Sequence, residues 1–167
     1  MKKLLVLAFM LFAFTASTFA QVTASATSTA TIVAPIGITK TVDMNFGNIA
    51  VSGAGTVVID PAGTRTTTGA LTLPAITGTV AAASFDVTGN DGYTYTITLP
   101  STDYTITRVA GTETMIVNTF TSNPNGTGTL TGGAETLNVG ATLNVNAAQV
   151  GGVYTNATGF DVTVNYN

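Results

Sequence analysis

Tyr93-Thr94-Tyr95-Thr96-Ile97-Thr98-Leu99 places a large apolar or aromatic side chain at every odd position and threonine at every even one. Successive side chains of a β-strand point to opposite faces, so this rhythm predicts a strand with one dry face and one wet face. Threonine suits the wet face, because its branched Cβ restricts χ1 and packs well on a pleated surface. Pro100 ends the run, since proline has no amide to continue a ladder.

The same period recurs in both directions from that stretch. Phe85 and Val87 flank Asp86, and Tyr104 and Ile106 alternate with Thr105 and Thr107. Leu137 and Val139 precede Gly140, while Leu143 and Val145 follow it; the two halves read as one strand bent at the glycine. Phe160, Val162, Val164 and Tyr166 alternate with Asp161, Thr163 and Asn165. Residues 56–59 form a short continuous apolar run, and 114–121 read as a further strand whose buried face the sequence leaves open. Turn chemistry separates the runs. Asn90-Asp91-Gly92 predicts a tight hairpin between 85–88 and 93–99. Asp60-Pro61-Ala62-Gly63, Asn123-Pro124-Asn125-Gly126, Gly132-Gly133 and Gly151-Gly152 mark other reversals. Helical periodicity is missing after residue 20, and about one residue in five is threonine. The expected fold class is all-β, a Greek-key sandwich of roughly seven to nine strands.

At the N-terminus, Met1-Lys2-Lys3, the apolar run Leu4–Ala16 and the small residues Ser17-Thr18-Phe19-Ala20 have the three-part layout of a secretory signal peptide, residues 1–20. The run is too short for a membrane span of about 20 residues, and no cysteine follows for a lipid anchor. The chain is expected to be exported, to the periplasm, outer surface or extracellular space. Beyond Ala20 three basic residues, Lys40, Arg65 and Arg108, face eight acids, a formal charge of −5. No basic stripe exists for nucleic acid. An exported chain without cysteine must be held by burial and hydrogen bonds.

Residues 21–34 have a strand period but small side chains. Val22, Ala24, Ala26, Ser28, Ala30 and Ile32 alternate with Thr23, Ser25, Thr27, Thr29 and Thr31. They read either as an extended N-terminal arm or as the first strand of the domain, with the sandwich proper over 35–167.

Enzyme chemistry finds little footing. The absence of His and Cys excludes Ser-His-Asp and Cys-His nucleophiles and metal sites built on nitrogen or sulfur. The acids are scattered, and Asp60 before Pro61 and Asp91 before Gly92 fit turn roles. Asn90 and Asp91 lack the repeated acid spacing of a calcium loop. Gly126-Thr127-Gly128 is not a phosphate loop, because no lysine and no helix follow. Lys40 reads as a solvated strand lysine. Tyr93, Tyr95 and Tyr104 lie on the apolar phase of their strands, which predicts packing instead of a sugar platform. The expectation is no enzyme, no cofactor and no metal.

Met44-Asn45-Phe46-Gly47-Asn48-Ile49, preceded by Ile38-Thr39-Lys40-Thr41, resembles the start of an exported bacterial family catalogued as a domain of unknown function. Val57-Val58-Ile59-Asp60-Pro61-Ala62-Gly63-Thr64-Arg65, Tyr93 to Pro100, Leu137 to Leu143, and Gly152-Val153-Tyr154-Thr155 leading to Tyr166 are similar to its later blocks, in the right order. That family is similar to spore-coat-U-like and fimbrial pilin domains. The resemblance implies an immunoglobulin-like, pilin-like sandwich whose final strand carries an aromatic at the penultimate position, here Tyr166. It further implies a structural role at the cell surface. Partners would be other copies or related surface subunits, and a periplasmic chaperone, engaged by β-strand addition. The candidate strand-exchange residues are Val22, Ala24, Ala26, Ala30 and Ile32 on the arm, and Phe160, Val162, Val164 and Tyr166 on the closing strand. Two features depart from pilins: the chain lacks their disulfide, and its arm carries mostly alanine where a donor strand presents larger apolar groups. The alternative function is an exported surface binding module for a glycan or protein ligand.

Overall fold

The computed structural model describes residues 21–167; the expected leader, residues 1–20, lies outside the described residues. The chain divides into two units, Met1–Ile32 and Val33–Asn167. In the first, residues 21–32 belong to no strand and are exposed, Val22 at 92% and Ile32 at 94%.

The second unit is an all-β sandwich in which the described residues form eleven strands, more than the seven to nine expected, and no helix. They are β1 (Gly37–Val42), β2 (Ala50–Ile59), β3 (Arg65–Thr72), β4 (Ala83–Thr88), β5 (Thr94–Thr98), β6 (Tyr104–Arg108), β7 (Thr114–Asn123), β8 (Thr127–Thr129), β9 (Ala134–Val145), β10 (Tyr154–Thr155) and β11 (Thr163–Tyr166). The larger sheet runs β1-β4-β9-β7-β6-β10, with the β2–β3 hairpin joined to β9; the smaller runs β11-β5-β8. Pairing is antiparallel throughout.

β9 is the spine of the larger sheet. Leu137, Val139, Ala141, Leu143 and Val145 point to one side without a change of phase and are at most 4% exposed. One edge of β9 pairs with β7. The other pairs with β4 over residues 134–139 and with β2 over 141–145. Gly140 stands at this fork, where a Cβ would lie 2.2 Å from the Ile59 carbonyl oxygen. The strand therefore runs through the glycine, which is needed for the close approach of β2.

Two apolar clusters fill the interior. The first joins Phe85 and Val87 of β4, Leu137 and Val139 of β9, Tyr95 and Ile97 of β5, Val164 of β11, and Leu130. It lies between the two sheets. Burying each such side chain contributes about 1.5–3 kcal/mol. The second joins Val57, Leu71, Met115, Val117, Ala141, Leu143 and Val145 of the larger sheet, with Met44, Phe46, Ile49 and Leu73 packed against it. The 44–49 segment is clamped there by Arg65, whose Nη1 donates to the carbonyls of Phe46 (2.6 Å) and Asn48 (2.9 Å). It is held also by backbone bonds from Asn45 to Ala81 and from Asn48 to Thr77.

Several expectations need correction. The Asn90-Asp91-Gly92 reversal exists, with Gly92 at φ +77°, but β4 and β5 do not pair: the turn passes the chain from one sheet to the other. β4 already has β1 and β9 on its two edges, and β5 has β11 and β8, so neither has an edge left for a hairpin. The 160–166 run is a strand only from Thr163, because Phe160 and Val162 precede the ladder. The run at 56–59 is half-buried, with Val57 and Ile59 inward and Val58 partly exposed. In β7, Asn118 pairs Thr142 and Thr121 pairs Gly140, so Thr119 and Phe120 oppose one residue in a bulge. Thr119 sits at φ +51°. Met115 and Val117 face inward before the bulge, Phe120 and Ser122 after it; this phase switch is why the buried face was unreadable. Asp60-Pro61-Ala62-Gly63 does close the β2–β3 hairpin: the Gly63 amide donates to the Asp60 carbonyl (2.9 Å) and the Thr64 amide to Asp60 Oδ1 (2.7 Å).

Candidate functional site

The four candidate residues of the closing segment come together on the first cluster. Val164 is buried, and Phe160, Val162 and Tyr166 are half-buried against it. Phe160 is the hub of an aromatic group, with ring centroids 4.8 Å from Phe120, 5.9 Å from Tyr104 and 6.5 Å from Phe85. It is half-buried and packs among these rings against the first cluster. Tyr166 is a clasp: its hydroxyl accepts from the Asn90 amide at 2.6 Å and donates to the Ala34 carbonyl at 2.9 Å. Gly89 leaves room for that ring, since a Cβ there would fall 2.2 Å from the hydroxyl. The bonds from Tyr166 to Asn90 and Ala34 were not legible in the sequence, because nothing local marks a contact 76 or 132 residues away.

What β11 does present is its main chain. It pairs with β5 on one side and ends the smaller sheet on the other. The Asn167 amide donates to the Thr94 carbonyl. Hydrogen-bonded pairs alternate along an antiparallel ladder, so Asn165 and Thr163 also face β5. The amides and carbonyls of Val164 and Tyr166 therefore point off the free edge. β1 comes within 8 Å of β11 between Cα atoms but does not pair with it. Ile36, Ile38, Val162 and Tyr166 are the half-buried apolar side chains packed on the cluster from these two elements and their flanks. Of the arm candidates, Val22, Ala24, Ala26, Ala30 and Ile32 are all exposed and in no strand.

The outward face of the smaller sheet is uniform. Thr94, Thr96 and Thr98 of β5, Thr127 and Thr129 of β8, and Thr163 and Asn165 of β11 are all exposed. They form cross-strand pairs such as Thr163–Thr98, Asn165–Thr96 and Thr96–Thr127. No charge interrupts them.

Several of the ionisable groups among the described residues have local partners. Tyr95 is fully buried, with its hydroxyl donating to Glu135 Oε2 at 2.8 Å; burial, reinforced by that carboxylate, holds the hydroxyl well above the usual tyrosine range. Glu135 Oε2 also accepts from the Thr129 amide at 2.8 Å. Arg108 Nε donates to Glu113 Oε2 at 2.7 Å, which lowers the Glu113 carboxyl. Burial raises the Tyr104 hydroxyl. Asp91 Oδ1 accepts from the Gly132 amide at 2.7 Å, and exposed Lys40 pairs with Asp43. Tyr93, in contrast to Tyr95, is 41% exposed and packs edge-on against Tyr166 with centroids 5.5 Å apart. Among the described residues no three acids converge into a metal-holding group. Nor is any helix long and apolar enough to cross a membrane.

The fold and its open edges define a β-sandwich with a free closing strand. A family model, the Domain of unknown function (DUF4402), matches residues 36–166, and the chain belongs to that family. No curated protein and no solved structure matches it significantly.

Proposed function

We propose that the protein is a non-enzymatic, pilin-like structural subunit or accessory of a bacterial surface appendage or envelope layer. It is exported and joins its neighbours by β-strand addition. One observation carries this reading: the closing strand β11 has an unpaired main-chain edge, in a chain that also has an exposed, strand-periodic arm paired to nothing in its own sheets. In strand addition, main-chain bonds supply affinity and alternate side chains supply fit. The partner is another copy or a related subunit. A periplasmic chaperone covering the edge before assembly follows from the pilin resemblance.

Deleting residues 21–33 and measuring particle size tests the reading. Loss of oligomers supports it, and a truncated protein that assembles as well as the full one refutes it. A second reading, a surface module for a glycan, draws on the exposed Tyr93 beside Tyr166. Binding on a glycan array that is lost in Tyr93→Ala favours that reading, and a silent array removes it.

A further inference from the structure

We infer that Asn125 is a site of spontaneous covalent modification: the Gly126 main-chain nitrogen displaces ammonia from its carboxamide, and the isoaspartyl linkage that results loosens the start of β8 from β5.

Asn125 is the one asparagine of the chain that is followed by glycine. With no Cβ on that next residue, nothing shields its nitrogen from the Asn125 side chain. Branched residues crowd the same position after Asn48, Asn118, Asn138 and Asn144, and Pro124 offers Asn123 no amide at all. Three other carboxamides are also held in place: Nδ2 of Asn118 donates to Asp103, that of Asn144 to the Ile116 carbonyl, and that of Asn156 to the Thr105 carbonyl.

The turn between β7 and β8 supplies the geometry. Asn125 and Gly126 are exposed, Gly126 has φ +72°, and a Cβ there would meet nothing within 4 Å. The Thr127 amide donates to the Asn125 carbonyl and the Ile97 amide to the Gly126 carbonyl, each at 2.8 Å. The first of these bonds, closed around a residue of positive φ, makes a γ-turn. Both bonds leave the Gly126 amide unused. Once base removes its proton, that nitrogen attacks Asn125 Cγ; the Cγ–Nδ2 bond breaks and ammonia leaves a five-membered succinimide. Water then opens the ring. Cleavage of the nitrogen's bond to Cγ gives aspartate, and cleavage of its bond to the main-chain carbonyl carbon gives isoaspartate. No electrons are gained or lost.

In the isoaspartyl product the chain runs through the old side chain, one methylene longer, and the carbonyl that held Thr127 becomes a free carboxylate. β8 has only three residues, and its pairing of Thr127 with Thr96 lies next to the Ile97–Gly126 bond. So short a strand has no slack to absorb the added length, and the Ile97 amide loses its acceptor. A charge also appears at the border of the uncharged threonine face. Buried Leu130 and the Glu135 bond to the Thr129 amide hold the far end of β8 in place.

Protein expressed from the full chain is aged in mildly alkaline buffer, digested and weighed by mass spectrometry, with isoaspartate counted by a carboxyl methyltransferase specific for it. The Asn125 peptide should gain one mass unit at least tenfold faster than any other asparagine peptide, mostly as isoaspartate, and Asn125→Gln should abolish the gain. A rate in the folded protein more than tenfold below the rate in urea overturns the assignment of the site. Hydrogen exchange at the Ile97 amide should quicken at least tenfold in aged protein. Fresh Asn125→Asp, which carries the charge without the methylene, should keep that amide protected. Unchanged Ile97 exchange after ageing overturns the loosening of β8, and equal quickening in fresh Asn125→Asp overturns the role of the lengthened main chain.

Discussion

Replacing Tyr95 by phenylalanine removes one oxygen from the centre of the sandwich. The ring is fully buried, and its hydroxyl donates to Glu135 Oε2 at 2.8 Å, joining the smaller sheet to the start of β9. A hydrogen bond to a charged group contributes about 1.5–3 kcal/mol. Glu135 keeps its bond from the Thr129 amide, so the carboxylate is not orphaned and the loss should fall within that range. For a domain of this size each kcal/mol moves Tm by about 2–4 °C, which gives a drop of about 3–12 °C. Urea unfolding should show a lower midpoint with an unchanged slope. A double-mutant cycle with Glu135→Gln should return a coupling of about 1 kcal/mol or more, since the two groups are in contact. The same bond has a pH signature. The folded hydroxyl titrates above its unfolded value, so its stabilisation is complete below about pH 10 and is lost as pH rises through the folded pKa. Tyr95→Phe should therefore flatten the alkaline fall in stability. Tyr93→Phe, at a 41% exposed position, should stay within about 0.5 kcal/mol of the parent. A Tyr95→Phe variant as stable as the parent, with no coupling to Glu135→Gln, would refute the reasoning.

Gly140→Ala drives a Cβ to 2.2 Å from the Ile59 carbonyl oxygen and should cost about 1–3 kcal/mol by overpacking, read from the urea midpoint. Tyr166→Phe leaves the Asn90 amide and the Ala34 carbonyl without their partner; a loss of about 1–3 kcal/mol, with faster hydrogen exchange at Asn90, is the expected result. Glu113, held below its ordinary pKa by Arg108, contributes stability at neutral pH that disappears as pH falls through the folded value. Because the pair is partly exposed, Glu113→Gln should lower the urea midpoint only slightly, and the effect should shrink in high salt.

Where one residue in two is large and apolar, the fold was legible from the chain alone. β4, β5, β6 and β9 follow their alternation, and the Asp60–Gly63 turn follows its chemistry. β3 went unread because Thr66, Thr67 and Thr68 occupy both phases. β8 is Thr-Gly-Thr, with no apolar signal; Gly128 is required because the Tyr95 ring lies across it, 2.3 Å from where a Cβ would stand. The separation of β4 from β5 was illegible because pairing is decided by which edges are already filled, a long-range fact that a local turn motif does not encode. For the site, the apolar phase of β11 was readable. The Tyr166 clasp and the free amides of Val164 and Tyr166 needed the register with β5.

The proposed assembly turns an unpaired edge into a paired one. Hydrogen exchange at the Val164 and Tyr166 amides, followed in dilute single copies and again in assembled protein, reads that edge directly. Rapid exchange in single copies that slows strongly on assembly is the result the account predicts. Equal protection of the two amides in both states would contradict it.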